Sequence, residues 1–140
     1  MTSRGPDLAT RFGVNIAVLA GRVLLAGIFL HEAWFKVTNY ATSMRYTQSF
    51  GLPGELLPLA IVLETVAGLL VVFGLFTRCA ALALAGFCIV TAFVFHNKFG
   101  DINQLLHFEK DLAIAGGFLV LAAFGAGGWS LDAWRRGSRA

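Results

Sequence analysis

The sequence predicts an all-α integral membrane protein, a bundle of four transmembrane helices. Three observations predict it. Of 140 residues, 57% are hydrophobic and 14% are charged, against about 25% charged in a soluble domain. Mean hydropathy is +0.73. Four stretches also approach the roughly 20 apolar residues that a helix needs to cross a bilayer. Open strands cannot satisfy their backbone in lipid, and the alternating pattern of a barrel is missing. The length suits one domain.

The first span is read at 14–37 and contains AGRVLLAGIFLHEAWFKV. It is too long for the apolar core of a signal peptide and no A-x-A site follows, so it reads as a helix that stays attached. The polar connector 38–54 ends in the turn signal GLPG. The second span, 55–76, runs through LPLAIVLETVAGLLVVFG. Thr77 and Arg78 read as a tight turn, which makes the second and third helices antiparallel neighbours. The third span is 79–96. Residues 97–109 mix polar and apolar side chains, as a segment on the membrane surface does, and the fourth span is 110–126. Gly21, Gly27, Gly68, Gly74, Gly116 and Gly117 suit close helix approach. Cys79 and Cys88 fall in one helix, roughly 13 Å apart along it, too far for a disulfide. They read as small packing residues.

Net charge is +3 and the pI is about 9.2, but the basic residues flank apolar runs rather than forming a nucleic-acid face. Arg4, Arg11, Arg78, Arg135, Arg136 and Arg139 fall on one side of the four spans. Lys36, Arg45, Lys98 and Lys110 fall on the other, among Glu32, Glu55, Asp101, Glu109 and Asp111. The positive-inside rule makes the arginine side cytoplasmic. Residues 1–13 are then a cytoplasmic segment, 14–134 the transmembrane domain and 135–140 a basic cytoplasmic tail. Trp129 and Trp134 read as an inner-interface anchor.

Ionisable residues inside spans are expensive and need a partner or a proton. Glu64, in the middle of the second span, is the most informative residue. Glu32 and Lys36 are four apart on one helix face, a favourable pairing. Arg22 lies near that face and either snorkels inward or reaches into the bundle. Matching the outer ends of the first two helices puts Glu64 about 6 Å deeper than His31 and about 8 Å from the level of Arg22. Lys110 is a further counter-ion for Glu32 or Glu64. These residues suggest a polar pocket opening outward, with Glu64 and His31 as a proton relay and Arg22, Glu32, Lys36 and Lys110 as ligand-binding groups. His31, His96 and His107 come from three segments at similar depth, but no two share a metal-ligand spacing, so neither haem nor metal is expected. Phosphate loops, nucleophile elbows and CxxC motifs are absent from the sequence.

Three ordered blocks resemble the DoxX family of small four-helix membrane proteins: RVLLAGIFLHEAWFKV, GLPGELLPLAIVLETVAGLLVVFGLFTRCAAL, and FEKDLAIAGGFLVLAAFGAGGWSLD. The resemblance runs from Arg22 to Asp132. It matches Glu64 and Lys110 to that family's polar positions, and Arg22, His31 and Lys36 to its first-helix pattern. It implies a subunit of the bacterial-type inner membrane linked to an oxidoreductase, as in thiosulfate:quinone oxidoreductase, with quinone as the candidate ligand. It also implies membrane or periplasmic redox subunits, or further copies of the chain, as partners beside the lipid bilayer. With no cofactor motif of its own, the chain is not expected to act as an independent enzyme. Two other functions stay open: a non-catalytic accessory or assembly subunit, and a small-molecule or proton pathway.

Overall fold

The computed structural model describes residues 8–138, so Arg4 and Arg139 lie outside them. The described residues form six helices and no strand: α1 (Leu8–Thr38), α2 (Tyr40–Ser49), α3 (Leu56–Phe73), α4 (Thr77–Phe95), α5 (Ile102–Phe124) and α6 (Leu131–Gly137). Three of them, α1, α3 and α4, are long and apolar enough to cross a membrane. The expected fourth span is a helix of 23 residues, α5, but it is not among those three. Its first half carries Glu109, Lys110 and Asp111. It also starts earlier than expected, because Asp101 caps it by accepting from the Asn103 N–H at 2.9 Å. The expected surface segment is thus helical from Ile102 and continuous with α5.

The connector after α1 holds a helix where a loop was expected. Thr38 Oγ1 donates to the carbonyls of Trp34 and Phe35, and Asn39 Nδ2 donates to Phe35. Such side-chain donors compete with the helix ladder. The chain breaks at Asn39 and resumes as α2, whose Ser43 and Thr47 are buried. The turn between α3 and α4 also sits earlier than expected, at 74–76, with Thr77 and Arg78 already in α4.

That turn is a Schellman motif. Gly74 adopts φ +69°, the Leu75 N–H donates to Leu70 at 2.9 Å, and the Gly74 N–H donates to Val71 at 3.2 Å. A Cβ at Gly74 would stand 2.5 Å from Ser130 Cβ and 3.1 Å from Arg22 Cζ. Gly74→Ala therefore meets both backbone strain and a collision. We expect it to destabilise the protein by about 2 kcal/mol or more, read as a lowered melting temperature in detergent. Gly68 and Gly117 also admit close neighbours, Leu30 and Leu25, whereas Gly21, Gly27 and Gly116 have no non-local atom within 4 Å.

The core runs between α1, α3, α4 and α5 and is built of small residues around a few large ones. Ala26, Val71, Ala81, Leu84 and Phe118 are fully buried, and Phe29 packs edge-on against Phe118 at 5.5 Å. Apolar residues such as Leu24, Leu59, Val90 and Phe124 cover the outside, as a lipid-facing surface requires. Both cysteines are free thiols; Cys88 is buried as expected, while Cys79 is exposed.

One end of the bundle is locked by Arg22, which is 2% exposed. Its Nε donates to Val71 O at 3.0 Å, and its Nη1 donates to Ala126 O at 2.7 Å and Trp129 O at 2.8 Å. Nη2 donates to Val72 O. A helix leaves its last carbonyls without partners and carries a negative partial charge there. Arg22 satisfies both for α3 and joins α3 to the segment after α5.

Asp132 closes the same end. Its carboxylate accepts from the N–H groups of Phe76 and Thr77 and from Thr77 Oγ1, at 2.9, 3.0 and 2.9 Å. It thereby caps α4 from the far end of the sequence and holds Phe76, whose φ is +47°. Partial desolvation works against the charge, but the Thr77 and Phe76 donors and the nearby Arg136 outweigh it, so the carboxyl lies below its usual range. The stabilisation is therefore full above the unfolded carboxyl pKa, near 3.9, and is lost as pH falls through the lower folded value. Asp132→Ala should cost about 1–2 kcal/mol at neutral pH, as loss of a helix cap does. It should also remove part of the acid-induced fall in melting temperature below about pH 4. Identical melting curves for the two proteins between neutral and acid pH would contradict this capping role.

Candidate functional site

At the other end, α1 and α3–α5 part around a cavity of about 900 Å³ that α2 roofs. The inward residues of α1 are Arg22, Ala26, Phe29, Ala33 and Lys36, a run at spacings of three and four that forms one stripe. Phe29 and Lys36 line the cavity, and Arg22 occupies the opposite end of the stripe. From α3, Glu64 enters the cavity and is itself 2% exposed.

Lys36 and Glu64 form an ion pair. The Lys36 ammonium donates to both Glu64 oxygens, at 2.8 and 3.0 Å, and to Glu32 Oε2 at 3.3 Å. Either charge alone would be costly at this depth, and the pairing offsets that cost. The Glu32–Lys36 pairing expected from sequence is present; the partner of Glu64 is Lys36 rather than Lys110 or Arg22.

The opposite wall, from α4 and α5, carries a second polar group. Thr91 Oγ1 lies 3.3 Å from Asp111 Oδ2. His96 and His107 stack with ring centroids 5.0 Å apart, and His96 Nδ1 is 3.1 Å from Gln104 Oε1. Lys110 also lines the cavity. Among the described residues, no three potential metal ligands come together. The remaining walls are mostly apolar and aromatic, including Phe29, Leu57, Leu63, Phe87 and Ile114. The roof is tied down by an aromatic cluster: Tyr46 stacks on Phe95 at 5.7 Å, and Phe50 meets Phe95 at 5.0 Å.

The cavity thus brings together Glu32, Lys36, Glu64 and Lys110 of the sequence-selected residues. It does not include Arg22, which binds carbonyls at the other end, or His31, which is exposed. His31 lies two residues from Phe29, about 200° around the helix. Sequence reasoning missed Thr91, Cys88 and the inward role of Asp111. Thr91 and Cys88 carried no charge to draw notice. The charge pattern groups Asp111 with the outer-side residues, but it sits one turn before the buried Ala115.

The DoxX family model matches residues 17–97. Inner membrane protein YqjF of Escherichia coli is 44% identical over 118 residues, covering 84% of this chain and 91% of its own length. Inner membrane protein YphA of the same organism is 32% identical over 124 residues, covering 84% of this chain and 89% of its own. No solved structure matches. The family match takes in Lys36, Glu64 and Thr91 and ends before α5. With more than half of the sequence inside that match and a relative at 44% identity along most of both proteins, the chain belongs to the DoxX family.

Proposed function

We propose that this chain is an inner-membrane subunit of a quinone-linked redox complex, and that the cavity around Glu64 receives the quinone ring. The observation that carries the reading is the cavity itself: apolar and aromatic walls, with a charged pair on one side and a carboxylate and two imidazoles on the other. Small-molecule sites have this make-up of apolar lining with a few placed polar groups. Lys36 would donate to a ring oxygen, and Glu64 would exchange a proton with it. Lys110 and Asp111 face the ring from α5. The redox centre is supplied by a partner, since the chain carries no cofactor motif. The names of both relatives support the inner-membrane location. In this reading α5 crosses the bilayer as a fourth span, both termini are cytoplasmic and the cavity end faces outward.

Mild-detergent purification from native membranes, followed by mass spectrometry of bound small molecules, tests the reading. A quinone in near-stoichiometric amount is the expected result. Glu64→Gln should lower its retention about tenfold or more, the effect of losing one charge-assisted hydrogen bond. Equal quinone in that variant, at unchanged elution volume, would remove Glu64 from the site. A second reading, a non-catalytic accessory subunit, is favoured by the satisfied state of Lys36, whose two carboxylate partners need no ligand. Recovery of a large enzyme partner with no small molecule would select it.

A further inference from the structure

The cavity is not confined to the bundle interior, and its two flanks differ in chemistry. From α1 and α5 its lining includes the charged Glu32, Lys36, Lys110 and Asp111 beside the apolar Ile28, Phe35 and Ile114. Where α3 faces α4, it includes Leu59, Leu63, Phe87 and Val90. Glu32 and Lys36, Leu59 and Leu63, and Phe87 and Val90 are each three or four apart within their helix and share a face, whereas Lys110 and Asp111 are sequence neighbours on α5. Leu59 is 65% exposed and Val90 60% exposed, although both line the cavity. Both lie on helices long and apolar enough to span. A wall residue that is also exposed at that depth marks a place where the cavity meets lipid. The α3–α4 pair is closed by the three-residue turn at 74–76 and packs less extensively than α4 with α5, but α1 and α5 touch still less, so the chemistry of the flanks rather than their tightness distinguishes them. Above, the cavity is roofed by α2, and the Tyr46, Phe50 and Phe95 rings hold that roof to the end of α4.

We infer that the cavity's ligand is a tailed amphiphile that enters sideways from the bilayer. Its polar head rests between Lys36–Glu64 and Asp111, and its apolar tail leaves through the α3–α4 seam past Leu59 and Val90. The asymmetry of the seams sets this direction. A hydrocarbon tail at the α1–α5 seam would bury charges, whereas at the α3–α4 seam it replaces lipid against leucine and valine. A water-soluble ligand would need no apolar mouth and would have to pass the roof. The inference rests on the proposed function only for the identity of the head group, and the experiment separates the two.

The full chain would be placed in lipid nanodiscs with three probes that share one diazirine-bearing alkyl tail and differ in head group: benzoquinone, carboxylate and phosphate. After irradiation, peptide mapping locates the label. The expected result is labelling at Leu59, Leu63 and Val90 by the quinone probe, at least about tenfold above labelling of Leu69 and Leu82 elsewhere on the lipid-facing surface. Excess unlabelled tailed quinone should compete it away. The double substitution Leu59→Trp and Val90→Trp should abolish the competable label, whereas Leu59→Ala with Val90→Ala, which keeps the seam open, should retain competable labelling at Leu63. Competable seam labelling by the carboxylate or phosphate probe alone would uphold the sideways entry and overturn the quinone reading. Labelling by all three no stronger than at Leu69 and Leu82, or concentrated at the α1–α5 seam, would overturn the inference itself.

Discussion

Arg22→Leu is expected to lower the unfolding free energy by at least about 3 kcal/mol. The side chain donates to four backbone carbonyls, those of Val71, Val72, Ala126 and Trp129. A hydrogen bond from a charged donor contributes about 1.5–3 kcal/mol, and a buried acceptor left bare costs about 1–3 kcal/mol. Leucine replaces none of these bonds and leaves the end of α3 open. Arg22→Lys should recover only part of the loss, because an ammonium lacks the flat fork that reaches α3 and the later loop together. Unfolding in mixed dodecyl maltoside and sodium dodecyl sulfate micelles would measure both variants. Stability of Arg22→Leu within about 0.5 kcal/mol of wild type, the range of an ordinary surface change, would rule out the locking role. Because Arg22 lies outside the cavity, ligand retention per folded molecule should not change in either variant.

The Lys36–Glu64 pair gives the second large effect, and it has a distinctive signature. Removing Lys36 leaves the Glu64 charge buried, which costs about 3–5 kcal/mol, whereas removing Glu64 leaves Lys36 partly exposed and still paired with Glu32. Lys36→Met should therefore destabilise strongly, and Glu64→Leu less so. The double variant should regain most of that loss, since replacing a buried pair with apolar side chains is often neutral. The strong effect of Lys36→Met and the mild effect of the double variant form a coupling cycle, measured by the same micelle titration. Simple additivity would mean that the two side chains do not share one buried bond. Ligand retention would behave differently. If the pair holds a ligand head, the double variant stays folded and loses its ligand, which separates a binding pair from a purely structural one.

Much of the bundle was legible in the sequence because hydropathy marks a span directly. The stretches that became α1, α3 and α4 stood out, as did the buried Glu64 and the Glu32–Lys36 pairing. The partner of Glu64 did not. Levelling the outer ends of the first two helices placed Glu64 well below Lys36. The connector holds the ten-residue α2 rather than a loop, so the end of α1 and the start of α3 need not be level. His31 failed for a different reason. Its depth was a fair inference, but its direction was not, since the inward stripe runs through Phe29, Ala33 and Lys36. That stripe was readable as a heptad-like spacing, had small residues been weighed beside the charges. The second polar wall was hidden because Thr91 and Asp111 come from helices whose relative rotation no single-helix pattern encodes.

The lock around Arg22 also imposes an order on the making of the protein. Two of the arginine's four acceptors, Ala126 and Trp129, are synthesised more than a hundred residues after it. Asp132 likewise follows the helix α4 that it caps. During translation α1 must enter the membrane with its guanidinium matched by none of these carbonyls, and α4 with its first turn uncapped. Completion waits until residues 126–132 leave the ribosome. A released chain truncated after residue 125 should hold all four long helices yet be cleaved readily by protease at the 74–76 turn, whereas one extended past Asp132 should resist. Equal protection of the two would show that the hairpin closes without its C-terminal latch. The segment after α5 therefore acts as a latch that can close only once every earlier helix is in place.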